Sequence, residues 1–291
     1  MTLRSKDKRD IYYRKAKELG YRARSAFKLL QIDAQFDLFK DVTRVIDLCA
    51  APGSWSQVVA RRMVELDRTH ARVVAVDLQE MAPIPGVAML QADITQQRTL
   101  ERIAELLGDE KAEIIISDGA PDVTGVHDLD EYVQAELILA ALNVALQLLI
   151  DGGSFVAKVF RQKDTDLLYG RLLVFFDDVC IAKPRSSRNS SIEAFVVCRG
   201  FRMPSGMIAN AYLHSDPLRN KALSSLTGDN RVLVPFVSCG DLSGFDADMS
   251  YDLSDSDGEA ERLPPVQAPI HPAYEEAKAR LRLKNHGGNI P

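Results

Sequence analysis

The chain has 291 residues, 46% of them apolar and 26% charged, and a formal net charge of −5. That is enough apolar material for one full-size core with appendages. Its four cysteines, Cys49, Cys180, Cys198 and Cys239, are too far apart for a zinc knuckle or a disulfide framework. No apolar run approaches the roughly 20 residues that cross a bilayer, and the charged N-terminus is unlike a secretion signal, so the chain reads as soluble and cytoplasmic, with no metal site.

In chain order, the first feature is a basic arm over residues 1–22. Between Arg4 and Lys28 ten basic residues face three acids, with Tyr12, Tyr13 and Tyr21 interspersed, so the net acidity does not exclude a nucleic-acid partner. The same charge run also fits a plain solvated surface. Apolar residues at Ala23, Ala26, Phe27, Leu30 and Ala34 predict a helix over Ala23–Phe36. From about residue 43 to 199, short β-branched runs alternate with helical patterns, which predicts an α/β fold with a mostly parallel sheet covered by helices on both faces.

The expected strands are seven: Arg44–Cys49, Arg72–Asp77, Val87–Gln91, Glu113–Ser117, Ser154–Phe160, Asp178–Ala182 and Ile192–Cys198. The expected helices between them are Trp55–Leu66, Gln96–Leu107, Asp130–Leu149 and Thr165–Phe175. The spacing allows the last two strands to pair as a hairpin at the sheet edge. After the domain of residues 23–204 come an extension, 205–253, expected to contact a partner and to hold a lone strand at Val232–Ser238, and an acidic, proline-rich tail, 254–291, of disorder-like composition.

The turn after the first strand, Asp47-Leu-Cys-Ala-Ala-Pro-Gly-Ser-Trp55, is built of small residues, so a compact ligand can approach the backbone there. The G-x-G-x-x-G and P-loop spacings are absent, which disfavours nicotinamide and nucleoside triphosphates. Asp77 ends the second strand, where a carboxylate can accept both hydroxyls of a ribose, and Asp93 follows the third, where one can accept from an adenine amino group. Singly, Asp47, Asp77 and Gly53 fit helix caps and turns equally well; at three successive strand ends they favour an adenosine-containing cofactor.

Asp118 follows the fourth strand, and Lys158 lies inside the apolar strand Ser154–Phe160. An ammonium in a central strand is costly and calls for a function, although on an edge strand it could face solvent. Glu193 falls in the expected edge strand and Lys28 on the upstream helix, and composition alone reads both as solvated.

The segments Arg22–Lys28, Asp47–Trp55, Val76–Leu78, Ser117–Asp122, Phe155–Lys158 and Arg185–Glu193 resemble, in this order, the FtsJ/RrmJ family of RNA ribose 2′-O-methyltransferases. The chain is most similar to the family's eukaryotic tRNA branch, the Trm7 type. The resemblance implies a Rossmann-like S-adenosylmethionine methyltransferase fold and a catalytic set at Lys28, Asp118, Lys158 and Glu193. It places the cofactor, S-adenosyl-L-methionine, at Gly53, Trp55, Asp77, Asp93 and Asp118. It further implies action on anticodon-loop nucleotides 32 and/or 34 of tRNA, with a WD-repeat or large helical-repeat protein as auxiliary subunit. Ser54 departs from the glycine common in the family.

In the implied mechanism Lys158 is the base that takes the ribose hydroxyl proton, so its pKa is expected to be depressed, by desolvation and by Lys28, with Asp118 and Glu193 limiting the depression. Rival readings are methylation of another RNA, a small-molecule or protein acceptor on the same fold, and an inactive RNA-binding subunit.

Overall fold

Strands whose residues are buried on both faces belong in the middle of a sheet, and successive side chains must serve opposite layers. The chain shows this in a computed structural model that describes residues 10–120, 127–160, 165–204, 236–241, 243–245 and 247–249. Strands β1 (Arg44–Leu48), β2 (Arg72–Asp77), β3 (Val87–Gln91), β4 (Ala112–Ser117) and β5 (Leu149–Phe160) run parallel; β6 (Phe176–Pro184) and β7 (Glu193–Phe201) follow. All seven expected strands are present, and an eighth, β8 (Phe236–Cys239), joins them. The sheet order is β3-β2-β1-β4-β5-β7-β6-β8.

β6 and β7 form the antiparallel hairpin allowed by their spacing, but it is turned inward: β7 lies between β5 and β6. Glu193 therefore stands on an interior strand rather than on an edge. β8 pairs parallel with β6 and takes the edge position.

Helices α2 (Ala26–Phe36) and α3 (Ser54–Glu65) cover one face, against Val45, Ile114, Val156 and Phe195. Helices α4 (Gln97–Leu107), α5 (His127–Leu148) and α6 (Thr165–Phe175) lie in the same chain order as expected, and their apolar residues pack with Ile46, Ile115, Phe155 and Ala157 on the other face. Neighbours such as Val45 and Ile46 feed different layers, as strand alternation requires.

The basic arm holds a helix that the charge pattern concealed, α1 (Ile11–Glu18). Asp10 caps it, its carboxylate accepting from the Tyr12 and Tyr13 amides at 3.0 and 3.3 Å. Ile11 and Tyr12 are buried beneath Ala247, and the Tyr12 hydroxyl donates to the Phe245 carbonyl at 2.8 Å. The described part of the C-terminal extension thus extends the sheet and then folds over the arm. Arg4 to Arg9, Pro121, Asp122 and the tail after 250 lie outside the described residues. Among the described residues no helix is long and apolar enough to cross a membrane.

Candidate active site

Strand register brings the four charged candidates together. Leu48 pairs with both Val76 and Ser117, so Cys49, Asp77 and Asp118 leave the sheet at one carboxyl edge. Ser117 pairs with Ala157, which sets Lys158 beside Asp118. In the antiparallel β5–β7 pair Lys158 faces Phe195 and Phe160 faces Glu193, so Lys158 and Glu193 emerge on the same side, the side covered by α2. From α2, Lys28 reaches down to meet them.

The result is a linear chain of alternating charge. The Lys28 Nζ donates to Glu193 Oε2 at 2.7 Å, Lys158 Nζ lies 3.6 Å from the same oxygen, and Lys158 Nζ lies 2.7 Å from Asp118 Oδ1 and donates to the Asp118 carbonyl at 2.9 Å. Lys28 and Lys158 are only 9% and 8% exposed, which removes the solvent-facing alternative for both. β5 is central, as a functional lysine in that strand requires.

The electrostatics correct one expectation. Burial works to lower the Lys158 pKa, but Asp118 and Glu193 outweigh it and hold the ammonium above its ordinary value. The expected depression assumed that desolvation and Lys28 would dominate; Glu193, sitting between the two lysines, screens them instead. Glu193 itself is opposed by burial yet held down to about 2 by Lys28 and Lys158.

Several groups that sequence reasoning passed over brace this chain. Ser187 donates to Glu193 Oε1. Lys183 is buried and donates to the Ser191 and Glu193 carbonyls at 2.7 and 2.6 Å, fixing the bend into β7. Arg24 and Arg188 likewise pair with buried Asp10, and Arg24 also donates to the Ser186 carbonyl. Arg24 and Arg188 thus hold the arm to the β6–β7 loop.

The cofactor candidates divide. Gly53 sits at φ 101°, a left-handed conformation that strains any other residue, and Arg22 Nη1 and Ile84 Cδ1 close in to 2.8 Å of where a Cβ would lie. Arg22 donates to the Pro52 and Pro83 carbonyls at 3.0 and 2.9 Å and ties the turn to the loop beyond β2. The Trp55 ring belongs to the core: it packs on Phe195 with centroids 5.5 Å apart, and its Nε1 donates to the Ser25 carbonyl at 2.9 Å. Only its backbone is left for a ligand. The Ser54 hydroxyl lies 2.6 Å from that of Ser25 and links the turn to the start of the helix that carries Lys28.

Asp77 accepts from the Ala51 amide at 2.8 Å and from the Gln79 amide, also at 2.8 Å, one on each oxygen. Asp93 accepts from the amide and hydroxyl of Thr95 at 2.9 and 2.7 Å. Both carboxylates therefore form turns, as the alternative reading of Asp77 had it, and Asp77 retains one lone pair on each oxygen for a ligand.

Asp47 is a further carboxylate behind the turn. It is fully buried, takes the Ser56 hydroxyl on Oδ2 at 2.5 Å, and its Oδ1 has no hydrogen-bond partner among the described residues. Burial, with Asp118 and Asp77 adding to it, raises its pKa to about 7. Because the folded value lies above the unfolded one, the native state binds this proton more tightly. Stability should fall as pH rises from about 4 to 7. Asp47→Asn should abolish that dependence, so that the difference in melting temperature between variant and wild type is larger at pH 8 than at pH 5. An equal difference at both would show that Asp47 is ionised throughout.

Three carboxylates, Asp47, Asp77 and Asp118, thus gather at one sheet edge beside a turn able to admit a backbone-hugging ligand. That donor set repels a phosphate and suits a cationic ligand, and the buried free oxygen of Asp47 adds to the preference.

Comparison with known proteins agrees with this geometry. The FtsJ-like methyltransferase family model matches residues 21–201. A Homo sapiens tRNA (cytidine(32)/guanosine(34)-2'-O)-methyltransferase is 56% identical over 94% of the chain and 83% of its own length. The Schizosaccharomyces pombe protein of the same name is 52% identical over 94% and 95%. Among solved structures, one described as a ribosomal RNA methyltransferase from Plasmodium falciparum is 28% identical, with a TM-score of 0.55, over 62% of the chain and 98% of that structure. With a match that spans more than half of its length and contains Lys28, Asp118, Lys158 and Glu193, the chain belongs to the FtsJ-like methyltransferase family.

Proposed function

We propose that the chain is an S-adenosyl-L-methionine-dependent tRNA ribose 2′-O-methyltransferase that acts at anticodon-loop nucleotides 32 and/or 34. The observation that carries the reading is the buried Lys28–Glu193–Lys158–Asp118 chain at the sheet's carboxyl edge. Relatives named for tRNA positions 32 and 34 align well beyond residue 201, into the C-terminal extension, which favours tRNA over another RNA.

The cofactor supplies an electrophilic methyl group on a cationic sulfonium. Asp77 and Asp93 would hold its adenosine, and Asp118, with Asp47 once ionised, would suit the positive charge of the sulfonium. Lys158, having first lost its own proton to solvent, would accept the proton of the 2′-hydroxyl as that oxygen takes the methyl group and the methyl–sulfur bond breaks, its electron pair staying on sulfur. Lys28 and Glu193 hold Lys158 in place, and the reaction draws on orientation more than on covalent chemistry. Nucleotide choice is assigned, on the family resemblance, to an auxiliary WD-repeat or helical-repeat subunit, and the activity to the cytoplasm.

Mass-spectrometric mapping of tRNA from cells with and without the protein tests this. Loss of 2′-O-methylation at 32 or 34, restored by the wild-type chain and not by Lys158→Ala, is expected. Unchanged methylation at both positions would overturn it.

A further inference from the structure

On α5 the apolar stripe Ile138, Ala141, Leu142 and Ala145 faces the sheet, and one turn earlier on the same stripe stands a polar residue, Gln134. It is 1% exposed. Its amide nitrogen donates to the Lys158 carbonyl at 2.9 Å and to the Gly119 carbonyl at 3.1 Å. Two acceptors on one side fix which end of the amide is the NH2, and both of its hydrogens are used. The amide oxygen, Oε1, is buried and accepts nothing among the described residues. A buried unpaired acceptor costs stability, so a side chain kept there for packing alone would be better replaced by an apolar one.

The placement is specific. The β4–β5 ladder ends at Ser117 and Ala157, and the next residues are Asp118 and Lys158 themselves. Where ladder pairing stops, Gln134 bridges the two backbones. It does so from the α5 face, whereas the Lys158 side chain projects to the α2 face. Gln134 therefore reaches no reacting atom.

We infer that Gln134 is a positioning residue: by clamping the main chain at Lys158 and Gly119 from behind the sheet, it sets the spacing between the Lys158 amine and the Asp118 carboxylate. The inference rests on the reading of Lys158 as the base. Lys158 is faced by Asp118 after β4, by Glu193 on β7, by Lys28 on α2 through Glu193, and by Cys49 after β1. Of these, the clamp governs only Asp118. Releasing it loosens one of the two carboxylates that hold the ammonium and misplaces the amine.

The test is steady-state tRNA methylation, with its auxiliary subunit present, by Gln134→Met, which keeps the volume and removes the donors. A misplacement on the ångström scale lowers kcat by about 10²-fold, with KM for tRNA within about twofold because no contact to the RNA is lost. The pH–rate profile is the second readout: with Asp118 loosened, the variant levels off at a lower pH than the wild type. Gln134→Asn, one methylene shorter and able to reach one carbonyl at most, folds without the full loss of donors and shows an intermediate kcat. Should the Met variant not fold, the Asn variant alone decides: an unchanged kcat and profile overturns the inference, as does a fall in activity that merely tracks the folded fraction. Lys158→Arg is assayed alongside. If it is active, the base reading has failed; if it is inactive while both Gln134 variants behave as wild type, only the role of Gln134 has.

Discussion

Replacing Lys158 by Arg is expected to lower tRNA methylation by about 10²–10⁴-fold, the range of a lost general base. Binding of S-adenosylmethionine should change far less, because arginine keeps the cation that pairs with Asp118 and the other cofactor positions are on other strands. Arginine keeps the positive charge between Asp118 and Glu193 but does not give up its proton. The substitution therefore separates a base from a fixed cation. The wild type adds an independent check. Asp118 and Glu193 hold the Lys158 ammonium above its ordinary value, and the reactive neutral amine is a small fraction at neutral pH. The logarithm of kcat/KM should climb with a slope near one from pH 7 upward, with no plateau below about pH 10. A Lys158→Arg enzyme with a tenth of wild-type activity, or a wild-type profile flat above pH 7, would remove Lys158 from the role of base.

The second large effect belongs to Glu193. Removing one partner of a buried ion pair leaves an uncompensated charge and commonly costs about 3–5 kcal/mol; here two ammonium groups, Lys28 and Lys158, would be left facing each other. Glu193→Ala should therefore unfold at markedly lower urea concentration at pH 7 and be nearly inactive. The sign with pH follows from the lowered carboxyl value of about 2. The folded value lies below the unfolded one, so the contribution is fully present above the unfolded value, near 4.5, and is lost as pH falls toward 2. Its size is about 3 kcal/mol. Urea unfolding of wild type and Glu193→Gln at pH 7, 5 and 3.5 should show the gap between them shrinking at the lowest pH. A gap that is constant over that range would mean the lysines do not hold the ionised form. Asp47 acts in the opposite direction but is common to both proteins and cancels.

The local pattern of the chain made much of this visible. Strand-length runs of Val and Ile marked the sheet, and acids at consecutive strand ends marked the edge that carries the site. Lys158 declared itself as a charge in an apolar strand. What the pattern could not convey was pairing between distant segments. The place of β7 between β5 and β6 depends on which edge the hairpin docks to, and that placement turned Glu193 from a solvated residue into the link between two lysines. The direction of the Lys158 shift depended on the same link. The roles of Arg24, Arg188 and Lys183 were not visible because their acceptors, Asp10 and three backbone carbonyls, are brought to them only by folding. Gln134 was within reach of pattern reading, since it interrupts an apolar helical stripe; Ser187 had no such signal.

β8 also bears on how the molecule comes into being. Every residue of the Lys28–Glu193–Lys158–Asp118 chain, and the strands that carry them, leave the ribosome before Phe236 does. Until β8 arrives, β6 offers a row of unsatisfied backbone donors and acceptors, the kind of border along which nascent chains associate. β8 is thus a closing seam, supplied late and from far along the chain. A shortened protein ending near residue 204 would keep its whole catalytic set and lose that seam, so clumping of such a fragment would report on the exposed border of β6 and not on a lost binding partner.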